Sequence, residues 1–246
     1  MDQPVRYKHS ANVHNLQAAE AMVPRVMELF NPVSVADVGC GLGSWLHVFQ
    51  KAGVKRVAGF DGDYVDKSRM YISPEDFFPA DLEKPLPVND VFDLALCLEV
   101  AEHLKEASAH VLVSSLVKLS DTIIFSAAIP GQGGQNHINE QWPEWWARHF
   151  RKHDFYFYDI FREQFWQDAR VDWWYRQNIF LVTTQEKAEK LGFRKGENSY
   201  IHPELYMQKL RKINEYQSGL VSVGTAASVL TKAVKRALKK RLGGKP

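Results

Sequence analysis

The chain has 246 residues, of which 45% are hydrophobic and 24% are charged. This composition is that of a globular protein, and it excludes collagen-like, coiled-coil and wholly disordered chains. The 31 basic and 29 acidic residues nearly cancel, so the net charge gives no general reason to expect a polyanion as partner. Residues 231–246 contain several basic residues and no acidic residue. The rest of the chain therefore carries a net negative charge, so the sequence indicates an acidic body followed by a basic tail.

The cysteines and the N-terminus bear on where the protein works. Cys40 and Cys97 each lie inside an apolar run, so they predict small buried side chains rather than a disulfide framework. The first ten residues are polar, and no stretch approaches the 18 apolar residues of a membrane span. We therefore expect a cytoplasmic protein that is neither exported nor anchored by a transmembrane helix.

Predicted helices and strands alternate along the first half of the chain. An amphipathic helix is expected from near Asn12 to Phe30, within an N-terminal helical segment of residues 1–31. Strands are predicted at 33–38, 54–60, 91–98 and 122–128, and helices at 44–51 and 102–119. This alternation is typical of a mostly parallel sheet covered by helices on both faces, with ligands bound at the carboxyl ends of the strands.

A glycine-rich loop follows the first predicted strand. Gly39, Gly41 and Gly43 come directly before a helix, where glycines let the backbone turn tightly and approach a ligand. The dinucleotide fingerprint G-x-G-x-x-G would need glycine at position 44 or 46, but Ser44 and Leu46 stand there. The pattern therefore disfavours a hydride-transfer enzyme.

The loop instead resembles motif I of the class I S-adenosylmethionine-dependent methyltransferases, an acidic and an apolar residue followed by G-x-G-x-G. Asp61 at the end of the second strand, Ala80-Asp81-Leu82, and the segment 92–104, which is similar to FDL-x5-EV-x-EHL, continue the resemblance in order. The resemblance covers residues 33 to about 125. It implies a Rossmann-like, seven-stranded, mostly parallel sheet within a methyltransferase domain at 32–200, and S-adenosylmethionine as cofactor with S-adenosylhomocysteine as product.

The same resemblance implies cofactor-binding roles for individual residues. These are Asp37, Gly39, Gly41 and Gly43 at the methionine end, Asp61 on the ribose, Asp81 and Leu82 on the adenine, and Leu98 and Glu99 beside the sulfonium. Local alternatives stay open, since Asp61 could be only a turn former and Asp81 only a helix cap. Glu102 and His103 are expected in the first turn of the next helix.

The segment after the strand predicted at 122–128 is the candidate acceptor site. His137 and Glu140 are predicted as the catalytic pair, because the ordinary pKa of a histidine suits a general base. Asn139, Gln141, Trp142 and Trp145 are predicted to bind the acceptor. The alternative is that His137 and Glu140 only brace the following helix. The segment also resembles a bacterial methyltransferase subgroup with the string PGQGG-x2-H-[IV]-NEQWP-x2-W, often associated with surface polysaccharide and glycoconjugate biosynthesis, which points to a sugar hydroxyl.

Aromatic residues are concentrated at 142–180, which holds six of the seven tryptophans. Three interpretations remain: the core of a cap over the acceptor, stacking platforms for a sugar ring within a substrate region at about 130–177, or base stacking. Acidic residues interrupt the arginines there, which disfavours nucleic acid. No metal is predicted, because Glu99, Glu102 and His103 could be ligands but the further acidic pair is not identifiable.

The residues from 201 to 246 are predicted to form a helical, basic tail. Its apolar residues fall on one face of a helix and lysines on the other. Such a helix can pack on the body or in a homodimer, or adsorb to the inner face of an anionic membrane, and the sequence leaves these partners open.

Three functions follow from the sequence. The leading one is O-methylation of a sugar or glycoconjugate hydroxyl with S-adenosylmethionine. The second is methylation of a natural product or of a quinone or lipid precursor, and the third is a non-catalytic scaffold that binds the cofactor.

Overall fold

The structure is a computed structural model that describes residues 15–87, 90–196 and 198–241, with residues 239–241 described by their backbone alone. The predicted helix start near Asn12 and the last residues of the basic tail lie outside the described residues. The chain divides into two compact units, residues 1–202 and residues 203–246.

One mostly parallel sheet forms the centre of the first unit. Its strands are β1 (Ser34–Val38), β2 (Arg56–Asp61), β3 (Phe77–Pro79), β4 (Leu94–Leu98), β5 (Thr122–Ser126), β6 (Phe155–Tyr158) and β7 (Phe180–Thr184). They lie in the order β3-β2-β1-β4-β5-β7-β6. Strand β7 runs antiparallel to both of its neighbours, and the other pairs are parallel. The predicted fold class is therefore confirmed.

Helices cover both faces of this sheet. In the first unit they are α1 (Gln17–Phe30), α2 (Ser44–Lys51), α3 (Ala109–Leu119), α4 (Pro143–Arg151), α5 (Arg162–Phe165), α6 (Trp173–Asn178) and α7 (Gln185–Lys190). Strand β4 shows how the sheet separates two cores: Leu94 and Leu96 join one hydrophobic cluster with α1 and α2, while Ala95 and Cys97 join the other with α3 and α4. Side chains alternate between the faces of a strand, so a continuous apolar run fills both layers.

The helix predicted at 102–119 is wrong at its beginning. Glu102 and His103 lie in a separate single turn, Ala101–His103, and α3 begins only at Ala109. Leu104 is extended, and the next residue, Lys105, is held by Glu83, which accepts hydrogen bonds from its backbone N at 2.9 Å and its Nζ at 2.8 Å. These contacts pull the chain away from a helical path, so Glu102 and His103 stay at the sheet edge.

The second unit contains two helices in its described part, α8 (Pro203–Gln217) and α9 (Val223–Arg241). Apolar side chains of α9 are exposed, including Leu230 and Leu238. The predicted membrane or dimer contacts of this helix stay predictions. Among the described helices, none has the length and apolarity needed to cross a membrane.

Arg162 is a buried cation at the junction of α5, α6 and β7. Its side chain is 1% exposed and donates two hydrogen bonds to Asp159, at 3.0 and 2.5 Å, and one to the carbonyl oxygen of Gln177 at 3.2 Å. The guanidinium also lies over the rings of Phe180 and Tyr200. Full pairing on every side makes this buried charge tolerable.

Replacing Arg162 by methionine should lower the free energy of unfolding by about 3–5 kcal/mol, because breaking a buried ion pair leaves its partner uncompensated. Denaturant unfolding followed by tryptophan fluorescence measures this. Arg170→Met is the matched control, since Arg170 makes a similar pair with Asp168 on the surface and should leave the midpoint almost unchanged. Equal effects of the two substitutions would contradict the stabilising role assigned to the buried Arg162.

Candidate active site

The glycine loop adopts a conformation that side chains would disturb. Gly39, Gly41 and Gly43 have φ values of 84°, 54° and 79° between β1 and α2, in the left-handed region that favours glycine. A Cβ on Gly39 would lie 2.2 Å from Cγ2 of Val100, and the Gly39 amide donates to the carbonyl oxygen of Phe60 at 2.7 Å. The loop is therefore held tightly against β2 and against the segment after β4.

Asp61 ties this loop to the end of β2. Its carboxylate accepts hydrogen bonds from the amide of Gly41 at 2.8 Å, the amide of Gly62 at 2.6 Å and the hydroxyl of Tyr64 at 3.0 Å. Asp61 is thus more than a turn former, because one oxygen reaches across to the neighbouring loop. The structure therefore brings the glycine loop and Asp61 together at one edge of the sheet, as the sequence predicted.

Asp37, near the end of β1, is a buried carboxyl beside Asp61. Burial, and then the negative charge of Asp61, raise the pKa of Asp37 to about 8. The carboxyl is therefore mostly protonated at neutral pH, which is the expected state of an acid enclosed next to another acid.

Asp81 and Leu82 follow β3, at the far side of the predicted cofactor site. Asp81 is about half exposed; it accepts a hydrogen bond from the amide of Glu83 at 3.1 Å and pairs with Lys84 at 3.0 Å. No helix begins at these described residues, so the cap alternative is wrong. Leu82 is buried in the core. Their adenine contacts stay predictions.

Glu99 comes directly after β4 and the buried Leu98, with a left-handed φ of 53°. Its carboxylate accepts hydrogen bonds from the side-chain amide of Gln132 at 2.8 Å and from that of Asn178 at 3.0 Å. Burial raises the pKa of Glu99, and these amides offset only part of the rise. A left-handed backbone at a residue other than glycine is strained, and such strain is typical of functional positions.

Gln132 and Asn178 were missed by the sequence analysis, as was Tyr175. The Asn178 amide also donates to Gln132 at 2.9 Å, and the Tyr175 ring packs edge-on against Trp45 of α2 at 5.5 Å. The signal in the sequence was two amides, Gln177 and Asn178, directly before the apolar strand at 179–182. Helix α6 therefore brings the aromatic-rich segment to the glycine loop through these residues.

The predicted acceptor loop is anchored at His137 and Glu140. Glu140 accepts hydrogen bonds from the amides of Gly131 at 2.7 Å and Gly133 at 2.6 Å, and its Oε1 lies 2.9 Å from Nδ1 of His137. Burial works to raise the pKa of Glu140, but these three contacts outweigh it and lower the pKa. An ionised Glu140 only accepts, so Nδ1 of His137 is the donor in this contact and Nε2 is the ring nitrogen that Glu140 does not engage.

The acceptor loop is hydrogen-bonded to the turn that carries Glu102 and His103. The carbonyl oxygen of Glu102 accepts hydrogen bonds from the amides of Ile138 at 2.9 Å and Asn139 at 3.0 Å. The rings of His103 and His137 meet edge-on, with centroids 4.9 Å apart. Burial, and then the charge of His137, lower the pKa of His103 to about 4.

Glu102 is buried completely. Burial, and then the charge of Glu99, raise its pKa well above the usual range. The amides of Glu102 and Ala128 offset this rise only in part, and neither carboxylate oxygen has a hydrogen bond of normal geometry to a described residue.

The remaining predicted acceptor residues do not all lie at the same site. Asn139 and Gln141 lie in the anchored loop, joined by a hydrogen bond of 3.1 Å between their side chains, and Nδ2 of Asn139 is buried without a partner among the described residues. Trp142 is exposed where α4 begins. Trp145 lies instead against the rings of Trp146 and His149, in a groove lined also by residues of the α3 region.

The strand order 3-2-1-4-5-7-6, with a glycine loop after β1 and an acidic residue ending β2, defines the Rossmann-like class I methyltransferase fold. Residues 12–169 match the model of a protein family described as a methyltransferase domain. That match spans more than half of the chain, so the chain belongs to this methyltransferase family. It is an S-adenosylmethionine-dependent methyltransferase, as the sequence predicted.

Solved structures share the fold at low sequence identity. The methyltransferase domain of bacterial CtHen1 is 20% identical with a TM-score of 0.51, over 69% of this chain and 99% of that chain. Magnesium protoporphyrin IX methyltransferase from Synechocystis PCC 6803, with bound SAH, is 17% identical with a TM-score of 0.51, over 73% and 90%. An O-methyltransferase family protein from Burkholderia thailandensis is 15% identical with a TM-score of 0.50, over 69% and 57%. No curated protein matches the chain.

Gly39→Ala should weaken S-adenosylmethionine binding at least tenfold and lower the melting temperature, because backbone strain of about 1–3 kcal/mol adds to the clash with Val100. Calorimetric titration and thermal unfolding measure the two effects. Gly53→Ala is the control, since Gly53 also has a positive φ but nothing lies within 4 Å of the position that its added methyl group would take. If Gly53→Ala weakened binding equally, strain alone and not the close approach would explain the effect.

Asp37→Asn should gain stability relative to the wild type as pH rises from 5.5 to about 8. Between the unfolded pKa near 3.8 and the folded pKa of about 8, only the folded wild type holds the proton on Asp37, so its stability falls with rising pH. The amide does not titrate. Melting temperatures without cofactor at both ends of this range measure the difference.

Asp93→Asn is the control for this pH dependence. The Asp93 carboxylate accepts hydrogen bonds from Val33 and Ser34, which outweigh burial and lower its pKa. Its effect should therefore be constant across the same range, because Asp93 stays ionised in both states. If the difference in melting temperature between Asp37→Asn and the wild type were also constant across this range, the raised pKa assigned to Asp37 would be wrong.

Proposed function

We propose that this methyltransferase transfers the methyl group of S-adenosylmethionine to a hydroxyl of a sugar or glycoconjugate. The observation that carries the proposal is the anchored loop at 131–141, which places His137, Asn139 and Gln141 beside Glu102 at the sheet edge that holds the glycine loop. These side chains can bind and activate a hydroxyl.

In this proposal the cofactor lies along the carboxyl ends of β1, β2 and β4. The glycine loop and Asp37 face its methionine part, Asp61 its ribose, Asp81 and Leu82 its adenine, and Leu98 and Glu99 its sulfonium. The raised pKa of Asp37 supports this placement, because a buried acid gains most from a cationic ligand beside it.

The chemistry needs little from the protein beyond position and a place for one proton. The hydroxyl oxygen attacks the methyl carbon in line with the carbon–sulfur bond; that bond breaks, and its electron pair makes the sulfur a neutral thioether. The hydroxyl proton must leave. Nδ1 of His137 contacts Glu140, so in this proposal Nε2 is the atom that takes the proton or holds an ion that acidifies the hydroxyl.

Two observations favour a sugar as the acceptor. The side chains around His137 are polar, and the buried Nδ2 of Asn139 is a donor suited to a hydroxyl oxygen. The string PGQGG to NEQWP resembles a subgroup associated with polysaccharide biosynthesis. Most rings of the aromatic-rich segment pack into the cores, so Trp142, which is exposed, is the ring that we assign to stacking on the sugar.

The test incubates the protein with methyl-labelled S-adenosylmethionine and separate pools of nucleotide sugars, oligosaccharides, phenols and quinone precursors. We expect label in a saccharide pool. Label only in phenols or quinone precursors would favour a natural-product or lipid-precursor methyltransferase, and label in no pool together with intact cofactor binding would favour the scaffold.

His137→Ala should reduce turnover of the labelled pool by about 100-fold or more, the usual loss when a group that handles the proton is removed. Its affinity for S-adenosylmethionine should stay unchanged. His153→Ala, at an exposed histidine just after α4, should turn over normally. Full turnover of His137→Ala would remove His137 from the mechanism.

A further inference from the structure

We propose that Glu102, His103 and His137 bind one divalent transition-metal ion in the acceptor site. Each residue offers one ligand atom, and the three atoms lie within 4.8 Å of one another. Ligand–metal distances are about 2.0–2.2 Å for imidazole nitrogen and carboxylate oxygen, so small side-chain movements close this set around an ion.

The strongest indication is the state of Glu102. Its side chain is fully buried, and both of its oxygens are without a hydrogen bond of normal geometry among the described residues. Native structures rarely leave buried carboxylate oxygens without donors, and a buried carboxylate normally pairs with a cation or coordinates a metal. A metal ion between Glu102 and the two imidazoles supplies the missing partner.

His137 is held as a metal-binding histidine is held. Ligating histidines usually donate their other ring N–H to a carboxylate, which fixes the ring orientation. Glu140 does this at Nδ1, and the amides of Gly131 and Gly133 fix Glu140 in turn. A Cβ on Gly134 would lie 2.2 Å from Nε2 of His137, so glycine at this position lets the imidazole ring pack closely against the loop.

The two protein segments that supply the ligands are joined directly. The carbonyl oxygen of Glu102 accepts hydrogen bonds from Ile138 and Asn139, which keeps His137 beside the turn Ala101–His103. Glu99 has a different task, since its oxygens accept hydrogen bonds from Gln132 and Asn178. The ligand set is therefore two histidines and one carboxylate, with coordination positions left for other groups.

Two imidazoles and one carboxylate favour Mn²⁺, Fe²⁺, Co²⁺ or Zn²⁺ over Mg²⁺ and Ca²⁺, which prefer oxygen ligands. The open positions suit one or two acceptor hydroxyls. Such an ion would lower the pKa of an acceptor hydroxyl bound to it, so that the proton could pass to solvent water as the oxygen attacks the methyl carbon. In this role, which rests on the proposed function, His137 is a ligand rather than the general base.

The experiment titrates Mn²⁺ into the chelator-treated full chain and follows free Mn²⁺ by electron paramagnetic resonance. We expect one site per chain. Glu102→Gln and His137→Ala should weaken Mn²⁺ binding at least 100-fold, and Glu140→Gln about 10–100-fold, the usual loss for a partner of a ligating histidine. His153→Ala should bind as the wild type does.

Thermal unfolding of each variant separates loss of the site from loss of the fold. Glu102→Gln replaces a buried carboxyl group by an uncharged amide of the same size, so its melting temperature without metal should be no lower than that of the wild type. Equal Mn²⁺ affinity of the wild type and His137→Ala would overturn the proposal. So would the absence of saturable binding of Mn²⁺, Co²⁺ and Zn²⁺ at millimolar concentrations.

The metal site and the proposed function fail in different ways. Metal binding without methylation of any saccharide would overturn the acceptor and leave the site standing. Full saccharide methylation by a protein that binds none of the three ions would overturn the site and leave the function standing.

Discussion

The constraint on which this structure depends is the presence of several carboxyl groups at one edge of the sheet. Asp37, Asp61, Glu99 and Glu102 follow or end three neighbouring strands, and each is wholly or mostly enclosed. Carboxylates enclosed together repel one another and lose hydration, so each of them needs a partner or a proton. How each is compensated determines what the site can bind.

Three of the four residues meet this requirement, each in its own way, and the fourth does so only in part. Asp61 accepts amide hydrogens of the glycine loop, and Glu99 accepts side-chain amides of Gln132 and Asn178. Asp37 keeps its proton at neutral pH. Neither carboxyl oxygen of Glu102 has a hydrogen bond of normal geometry to a described residue. The first two are satisfied by the protein alone, whereas the last two gain from positive charge brought by ligands. A cationic cofactor would thus compensate the buried carboxyl of Asp37, and a metal ion would compensate that of Glu102.

Much of the fold was readable from the sequence because its signals are local. The apolar runs of β1, β4 and β5, the glycines after β1, and Asp61 at the end of β2 all sit within short segments of known period and spacing. The beginning of α3 was not readable. The residues at 102–108 have ordinary helical character, and the long-range contact of Lys105 with Glu83 decides against a continuous helix there.

The sequence offered Glu102 and His103 as possible metal ligands but did not join His137 to them, and the reason is physical. Glu102 and His103 are more than thirty residues from His137 in the sequence. They lie in a single short turn, which has no sequence pattern long enough to predict that both side chains face the same site. Hydrogen bonds from the amides of Ile138 and Asn139 to the carbonyl oxygen of Glu102 bring the segments together. Backbone atoms make these bonds, so no side-chain pattern records them. The sequence could name the acceptor loop, but it paired His137 with Glu140 alone.

The aromatic-rich segment shows the opposite case, in which a strong sequence signal says little about the site. Trp146, Phe150 and Phe157 pack on Phe125, so much of the aromatic density serves the core of the sheet. Besides Trp142, the segment contributes Tyr175 and Asn178 to the site, at the end where polar residues interrupt the rings. Asn178 directs its amide to Glu99, the residue after β4, and Arg162 donates a hydrogen bond to the preceding carbonyl, that of Gln177. The buried arginine thus supports the position of the residue that holds Glu99, and the aromatic packing provides the rigid frame in which that chain of contacts persists.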